Sequence, residues 1–463
     1  MIHINEEKIF TLLENAKDIR VARVEEILNK ARSLKRLSLE ETAILLAVDD
    51  KPLVKKIFEA ATFVKNEIYG QRIVLFAPLY ISNICVNACL YCAFKSDNIQ
   101  TKRRALNMDE IKEQVEWLLS RGHKRILMVA GEAAPNGISN VDYYVDSVKA
   151  IYEAQVGLHK IKRVNVNCAP LTVEEFKKLK SSGIGTFQLF QETYHEKTYR
   201  NVHPKGPKSD PDNRIDAVDR AFSAGIDDIG IGALYGLYDW RFETLAMLMH
   251  VEHMENKFDV GPHTISVPRI EPAQGVDFTK NMPYQVSDSD FKKLVAILRL
   301  SVPYTGIILS TRETAQMRDE LISLGVSQVS AESRTSPGGY SSSDNNKNQD
   351  IQFTLGDQRS LDEVIGSLIK NKLIPSFCAA CYRKERTGAA FMSLAKPGTI
   401  KGKCSMNALI TLKEYLDDFA SQEVKKEGYE FISRLKKDLD RESQATLEMF
   451  YGGIDQGKRD EFV

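Results

Sequence analysis

The chain has 463 residues, with 63 Lys and Arg against 63 Asp and Glu, so its formal charge at neutral pH is zero. That balance, without a long Lys/Arg run, offers no footing for a nucleic-acid partner, and no apolar run approaches the roughly 20 residues that span a bilayer. The opening residues Met1-Ile-His-Ile-Asn-Glu-Glu-Lys8 lack the apolar core of a signal peptide; a cytoplasmic protein with no membrane association is expected.

Residues 1–71 read as helices. Apolar residues recur at helical spacing in Glu6–Lys17, Val21–Arg32 and Leu39–Ala47, with Ser38 placed to cap the third. From residue 72 short apolar segments alternate with amphipathic ones. Eight strands are expected: Ile73–Ile81, Arg125–Val129, Arg163–Cys168, Thr186–Phe190, Asp228–Ala233, His263–Val267, Gly306–Leu309 and Gln328–Ala331. Helical patterns between them include Met108–Ser120, Val173–Ser182, Asn213–Ala224, Arg241–Lys257, Asp288–Leu300 and Arg312–Leu324. Such alternation predicts parallel strands joined by helices, and eight repeats match a closed (β/α)8 barrel over residues 72–340. The polar run Ser336–Gln349 reads as loop or linker. Residues 341–463 then form a mainly helical extension, in which Ser360-Leu-Asp-Glu363 resembles a capping box.

Three cysteines sit in Ile84-Cys-Val-Asn-Ala-Cys-Leu-Tyr-Cys-Ala-Phe94, just after the first strand. Three thiolates at this spacing, Cys85, Cys89 and Cys92, can hold three corners of a four-iron cluster. The fourth iron stays open beside Tyr91, which suits the chelation and reduction of S-adenosylmethionine. Structural zinc wants four ligands, and the nearest downstream Cys or His is His123. Cys378-Ala-Ala-Cys381 followed by Cys404 repeats the theme in the extension. All eight histidines lie at or before His263, so the extension has none of its own to complete a zinc site. A second iron–sulfur cluster is the expectation there, again with one iron open. Cys168, alone in an apolar run, reads as a small core residue, and disulfides are not expected in this compartment.

Barrel sites are built from the C-terminal strand ends, and polar residues recur there. Glu132 after strand two is a candidate to meet an ammonium group, and Glu192 after strand four to hold ribose hydroxyls. Asn165 and Asn167 alternate on one face of strand three and are expected to line the cavity. Ser310 and Arg312 after strand seven offer a carboxylate grip. His263, at the opposite end of strand six, and His253, late in the preceding helix, are candidate ligands for a metal at the far end.

The first triplet with its aromatic resembles the radical S-adenosylmethionine superfamily. Val164-Asn-Val-Asn167, Leu189-Phe-Gln-Glu-Thr-Tyr-His195, His203-Pro-Lys-Gly-Pro207, Asp228–Tyr238, Gly261–Arg269 and Leu309-Ser-Thr-Arg-Glu313 narrow the resemblance to its tyrosine lyases. The second triplet, with Pro375–Arg383 and Phe391–Lys396, points to the branch serving [FeFe]-hydrogenase maturation. The resemblance implies cleavage of L-tyrosine to p-cresol and dehydroglycine by a radical made from S-adenosylmethionine. Dehydroglycine then yields carbon monoxide and cyanide, assembled on iron as a synthon for the hydrogenase. It implies two [4Fe-4S] clusters, the second carrying an additional iron held with free cysteine and a histidine. Tyr91, Glu132 and Glu192 would contact S-adenosylmethionine, and Ser310 and Arg312 the tyrosine carboxylate. Implied partners are a low-potential electron donor, such as ferredoxin or flavodoxin, and other hydrogenase maturation proteins. Two residues depart from the family pattern: Ala93, where glycine often follows the last cysteine, and Glu332, where glycine is typical. A carboxylate at 332 is expected to bear on the barrel mouth.

Overall fold

Eight parallel strands lie side by side in chain order: β1 (Arg72–Ser82), β2 (Arg125–Ala130), β3 (Arg163–Asn167), β4 (Phe187–Gln188), β5 (Ile229–Gly232), β6 (Thr264–Ser266), β7 (Gly306–Leu309) and β8 (Gln328–Ser330). The last returns to the first, Val74, Leu75 and Phe76 meeting Gln328, Val329 and Ser330, and this pairing closes the barrel. The expected (β/α)8 architecture is thus met. The computed structural model describes residues 2–18, 20–133, 141–341 and 350–463.

The connections are helices because their apolar residues recur every three to four positions and bury one face on the strands. Met108–Ser120 opens with a reciprocal capping box between Asn107 and Glu110. Ser38 and Ser360 cap their helices in the same way, with Glu41 and Glu363. The predicted helix 213–224 instead divides into Pro211–Ile215 and Ala217–Ser223. A fourth helix of the N-terminal helical region, Lys51–Tyr69, buries Leu53, Ile57, Ala60, Ala61, Val64 and Ile68. It ends at Gly70, whose φ of 62° turns the chain directly into β1.

The extension is not helical throughout. Ile374–Ser376 forms a ninth strand, β9, parallel to the start of β1, with Arg72 opposite Ile374 and Val74 opposite Ser376. This pairing delivers Cys378 to the N-terminal, or basal, end of the barrel. The segment read as a linker packs tightly where it is described. Tyr340 donates its hydroxyl to the Pro78 carbonyl at 2.6 Å, and its N–H meets the Gln114 side chain at 2.8 Å; residues 342–349 lie outside the described residues. Among the described residues no helix is long and apolar enough to cross a membrane.

Candidate active site

The loop after β1 carries Cys85, Cys89 and Cys92 to the C-terminal end of the barrel. Backbone bonds pin it on three sides: Val86 N to the Glu132 carbonyl at 2.8 Å, Ala88 N to Lys205 and Leu90 N to Val202. Gly131 is required for the first. A Cβ there would stand 2.5 Å from the Ile84 carbonyl oxygen and 3.3 Å from the Cys85 Cβ. All three cysteines are free thiols and line one cavity of about 110 Å³. Asn87 donates to Cys85 Sγ at 3.7 Å and Gln352 to Cys92 Sγ at 3.5 Å. Burial pushes the Cys89 thiol up to about 12 and also raises Cys92.

Glu132 and Glu192 line the same cavity. Glu132 accepts from Asn87 at 2.8 Å. Glu192 holds a left-handed backbone, φ 71°, and its carboxylate meets Lys208 at 2.8 Å and Arg214 at 3.8 Å. Burial pulls this carboxyl upward, but the two cations outweigh it and hold it below the usual range. The unusual backbone is braced from behind: buried Glu243 accepts from the Tyr194 N–H at 2.8 Å and from the Thr193 hydroxyl. Tyr91 donates its hydroxyl to His203 Nε2 at 2.8 Å, the Nδ1 of that ring donating to the Tyr199 carbonyl, and Lys208 lies 5.6 Å from the Tyr91 ring centre.

A second cavity, of about 160 Å³, adjoins the first within the upper barrel. Tyr91, Cys92, Asn167, Glu192 and Gln352 line both. Ser310 and Arg312 face it from the end of β7. Arg312 is half-buried, with its guanidinium 3.4 Å from the centre of the Phe353 ring. Its guanidinium makes one long contact, 3.5 Å, to the Arg269 carbonyl, and among the described residues no carboxylate lies within ion-pair distance of it.

At the basal end Cys378, Cys381 and Cys404 line a cavity of about 40 Å³ with Arg72, Arg125, Arg163 and His263. Cys378 follows β9, Cys381 lies in the short helix Ala380–Arg383, and Cys404 in the helix Ile400–Asp418. Burial raises all three thiols. The basal and upper cavities share no lining residue.

Residues 79–250 match the model of the radical SAM superfamily, and 266–374 that of the biotin and thiamin synthesis associated domain. The chain is 31% identical to 2-iminoacetate synthase of Escherichia coli K12, over 75% of this chain and 88% of that one. A crystal structure of HydG, a maturase of the [FeFe]-hydrogenase, superposes with a TM-score of 0.95 at 48% identity, covering 99% of both chains. HydG from Carboxydothermus hydrogenoformans gives 0.83 and 42%, covering 96% and 99%. The chain belongs to the HydG family of radical SAM enzymes.

Membership of the superfamily implies a [4Fe-4S] cluster and S-adenosylmethionine. The upper site fits both. Three free thiols share one cavity with side-chain donors on two of them, and a glycine clears the space that brings Cys85 against β2.

Two side chains expected in these sites lie elsewhere. Asn165 faces the barrel interior but lines neither upper cavity. Its oxygen accepts from Arg163 Nε at 2.6 Å and Thr186 N at 3.0 Å, so it braces Arg163 one layer below Asn167. His253 lies on the outer helix Trp240–Phe258 and bonds Asp219 at 2.9 Å, away from the basal cavity that His263 lines. Its helical position turns it off the barrel axis, which linear distance from the strand cannot register.

Neither departure from the family pattern touches the cavities. Ala93 is buried, its carbonyl accepting from Asn98 and Thr101. Glu332 does not reach the barrel mouth. With φ 52° it turns toward His123 at 3.7 Å, Arg121 at 3.8 Å and the N–H of Leu361.

Lys208, Arg214, Asn87 and Glu243 are the residues that sequence reasoning passed over. Each contributes by contact across the fold rather than by local pattern. The three basal arginines did carry a signal, since β1, β2 and β3 each open on one.

Proposed function

We propose that this protein is a radical SAM lyase that cleaves L-tyrosine to p-cresol and dehydroglycine, and converts the latter to carbon monoxide and cyanide on iron for the [FeFe]-hydrogenase. The observation that carries the reading is Arg312. A half-buried guanidinium facing the cavity without a carboxylate in ion-pair contact among the described residues, beside Cys92 and Tyr91, has the fork to hold an amino-acid carboxylate in two parallel bonds. A cation left unpaired in such a place is costly, so the substrate carboxylate completes a site already formed.

Cys85, Cys89 and Cys92 would hold the first cluster, and Cys378, Cys381 and Cys404 the second, with His263 within reach of an additional iron and its free cysteine. Bound there, the clusters supply the electron that cleaves S-adenosylmethionine and the iron that collects the diatomic products. The chain's own residues do the rest. Glu132, Glu192, Asn167 and Tyr91 line the volume in which S-adenosylmethionine would be oriented. Ser310 and Arg312 fix the tyrosine carboxylate and so the distance from its amino group to the radical source. Apolar walls, among them Phe76, Leu127, Phe190 and Leu234, exclude water from the chamber. An electron donor of the ferredoxin or flavodoxin kind and other maturation proteins would be its partners, in the cytoplasm.

The test is anaerobic reduction of the reconstituted chain with S-adenosylmethionine and tyrosine, assaying p-cresol, cyanide and carbon monoxide. All three are expected. Absence of p-cresol would sink the lyase reading. p-Cresol without carbon monoxide would favour a lyase of the thiazole-biosynthesis type, which the resemblance to 2-iminoacetate synthase keeps as the second reading.

A further inference from the structure

The three arginines at the basal end have no role in the chemistry described so far. Arg72, Arg125 and Arg163 open three neighbouring strands, are buried, and face the cavity of the second cysteine triplet. Their protein partners do not balance them. Arg163 lies 3.7 Å from Asp228 and 3.1 Å from the centre of the Tyr382 ring. Arg125 donates to the Cys378 carbonyl. Arg72 makes no ion pair among the described residues and lies 5.0 Å from the Tyr69 ring centre. The Nε atoms of Arg72 and Arg125 are buried without an acceptor. Three guanidinium groups thus face one carboxylate, itself also close to His263 at 3.4 Å. An arginine does not shed its proton at physiological pH, and an ion taken from water without a partner costs several kcal/mol. Among the described residues no second carboxylate lines the cavity they face; its other polar groups are three thiols, His263, Gln328 and the phenols of Tyr69 and Tyr382, so the counter-charge falls to the group the thiols hold.

We propose that Arg72, Arg125 and Arg163 are the counter-charge of the group the second triplet holds and raise its reduction potential. Arg72 is the decisive member, because it alone of the three lacks a carboxylate or carbonyl partner while lining one cavity with all three cysteines. The inference rests on the reading that this triplet binds an iron–sulfur cluster. The sign follows from electrostatics: one added electron makes the cluster more negative, and a nearby cation favours that state. Removing the cation lowers the midpoint.

The test uses the full chain, anaerobically reconstituted, with Cys92→Ser to silence the first cluster. Iron content and EPR-monitored midpoint potential are measured for the parent, Arg72→Gln and Arg72→Lys. At the parent midpoint, Arg72→Gln is expected to lower the reduced-to-oxidised ratio at least tenfold, a shift of about 59 mV for one electron. Arg72→Lys, which keeps the charge, is expected to restore most of it. An unchanged midpoint and iron content in Arg72→Gln would overturn the inference. If Arg72→Gln retains no second cluster, Arg72→Lys decides: retention near the parent midpoint supports a charge role, and loss in both variants means a role in shape and overturns it. A parent chain without iron at the basal site would overturn the second-cluster reading and this inference together.

Discussion

Gly131 is the tightest point between the first cysteine loop and the barrel, and replacing it with alanine tests whether that loop must be held where it is. The Gly131 backbone is not in a left-handed conformation, so alanine adds no conformational strain and the effect is purely steric. Its Cβ would stand 2.5 Å from the Ile84 carbonyl oxygen, where 3.0 Å is the least that real Cβ contacts show, so the loop must retreat by about 0.5 Å or more. The obstacle is backbone, which cannot rotate away as a side chain does. Overpacking of this kind costs about 1–3 kcal/mol. The more telling consequence is geometric, because Cys85 follows Ile84 directly and reactive groups tolerate misplacement of only about 0.5 Å. A shift approaching 1 Å can cost about 100-fold in rate. We expect Gly131→Ala to fold, with p-cresol formation lowered by tenfold or more and S-adenosylmethionine binding weakened at the first site, while iron at the basal site is unchanged. Equilibrium binding of S-adenosylmethionine and site-resolved iron counting would measure this. Wild-type binding and turnover would refute the claim that this contact sets the position of the loop.

Three further outcomes follow from single contacts. Arg312→Lys loses the planar fork and is expected to raise the KM for tyrosine about 10–100-fold with a smaller change in kcat; equal losses in both would assign Arg312 to the chemical step. Glu192→Gln removes the carboxylate between Lys208 and Arg214 and should cost about 2 kcal/mol at neutral pH, measured by denaturant unfolding. Because the folded-state value of Glu192 is depressed, its contribution is present above the unfolded carboxyl value and lost as pH falls through the folded one. The deficit of the variant should therefore shrink only in acid, below about pH 4.3. Glu332→Gly relieves a left-handed φ but removes the carboxylate beside buried His123; it should alter stability and leave the KM for tyrosine unchanged, and a changed KM would contradict the outward placement of Glu332.

Much of the barrel was legible because a strand buried on both faces needs an unbroken apolar segment, and eight such segments alternate with amphipathic ones. Lys51–Tyr69 falls within the region read as helical, though its own bounds were not picked out. Ile374–Ser376 could not be read, because a three-residue strand exists only through its pairing with β1. His253 was assigned by its place along the chain and the rotation of its helix put it elsewhere, whereas Asn165 faces inward as strand alternation predicts but lies one barrel layer below the cavity.

By itself the amino-acid order determined where thiols cluster: their spacing is a local property, and both triplets are visible in a single line of residues. Tertiary structure alone decided what surrounds them. Closure of the barrel sends one triplet to each end, brings Lys208 and Arg214 to Glu192, leaves Arg312 without a carboxylate, and gathers Arg72, Arg125 and Arg163 beneath three cysteines roughly 200 residues or more away in sequence. The physical reason is range. Ligand chemistry is carried by a few neighbouring side chains, whereas the balance of buried charge depends on every group that folding brings within a few ångströms.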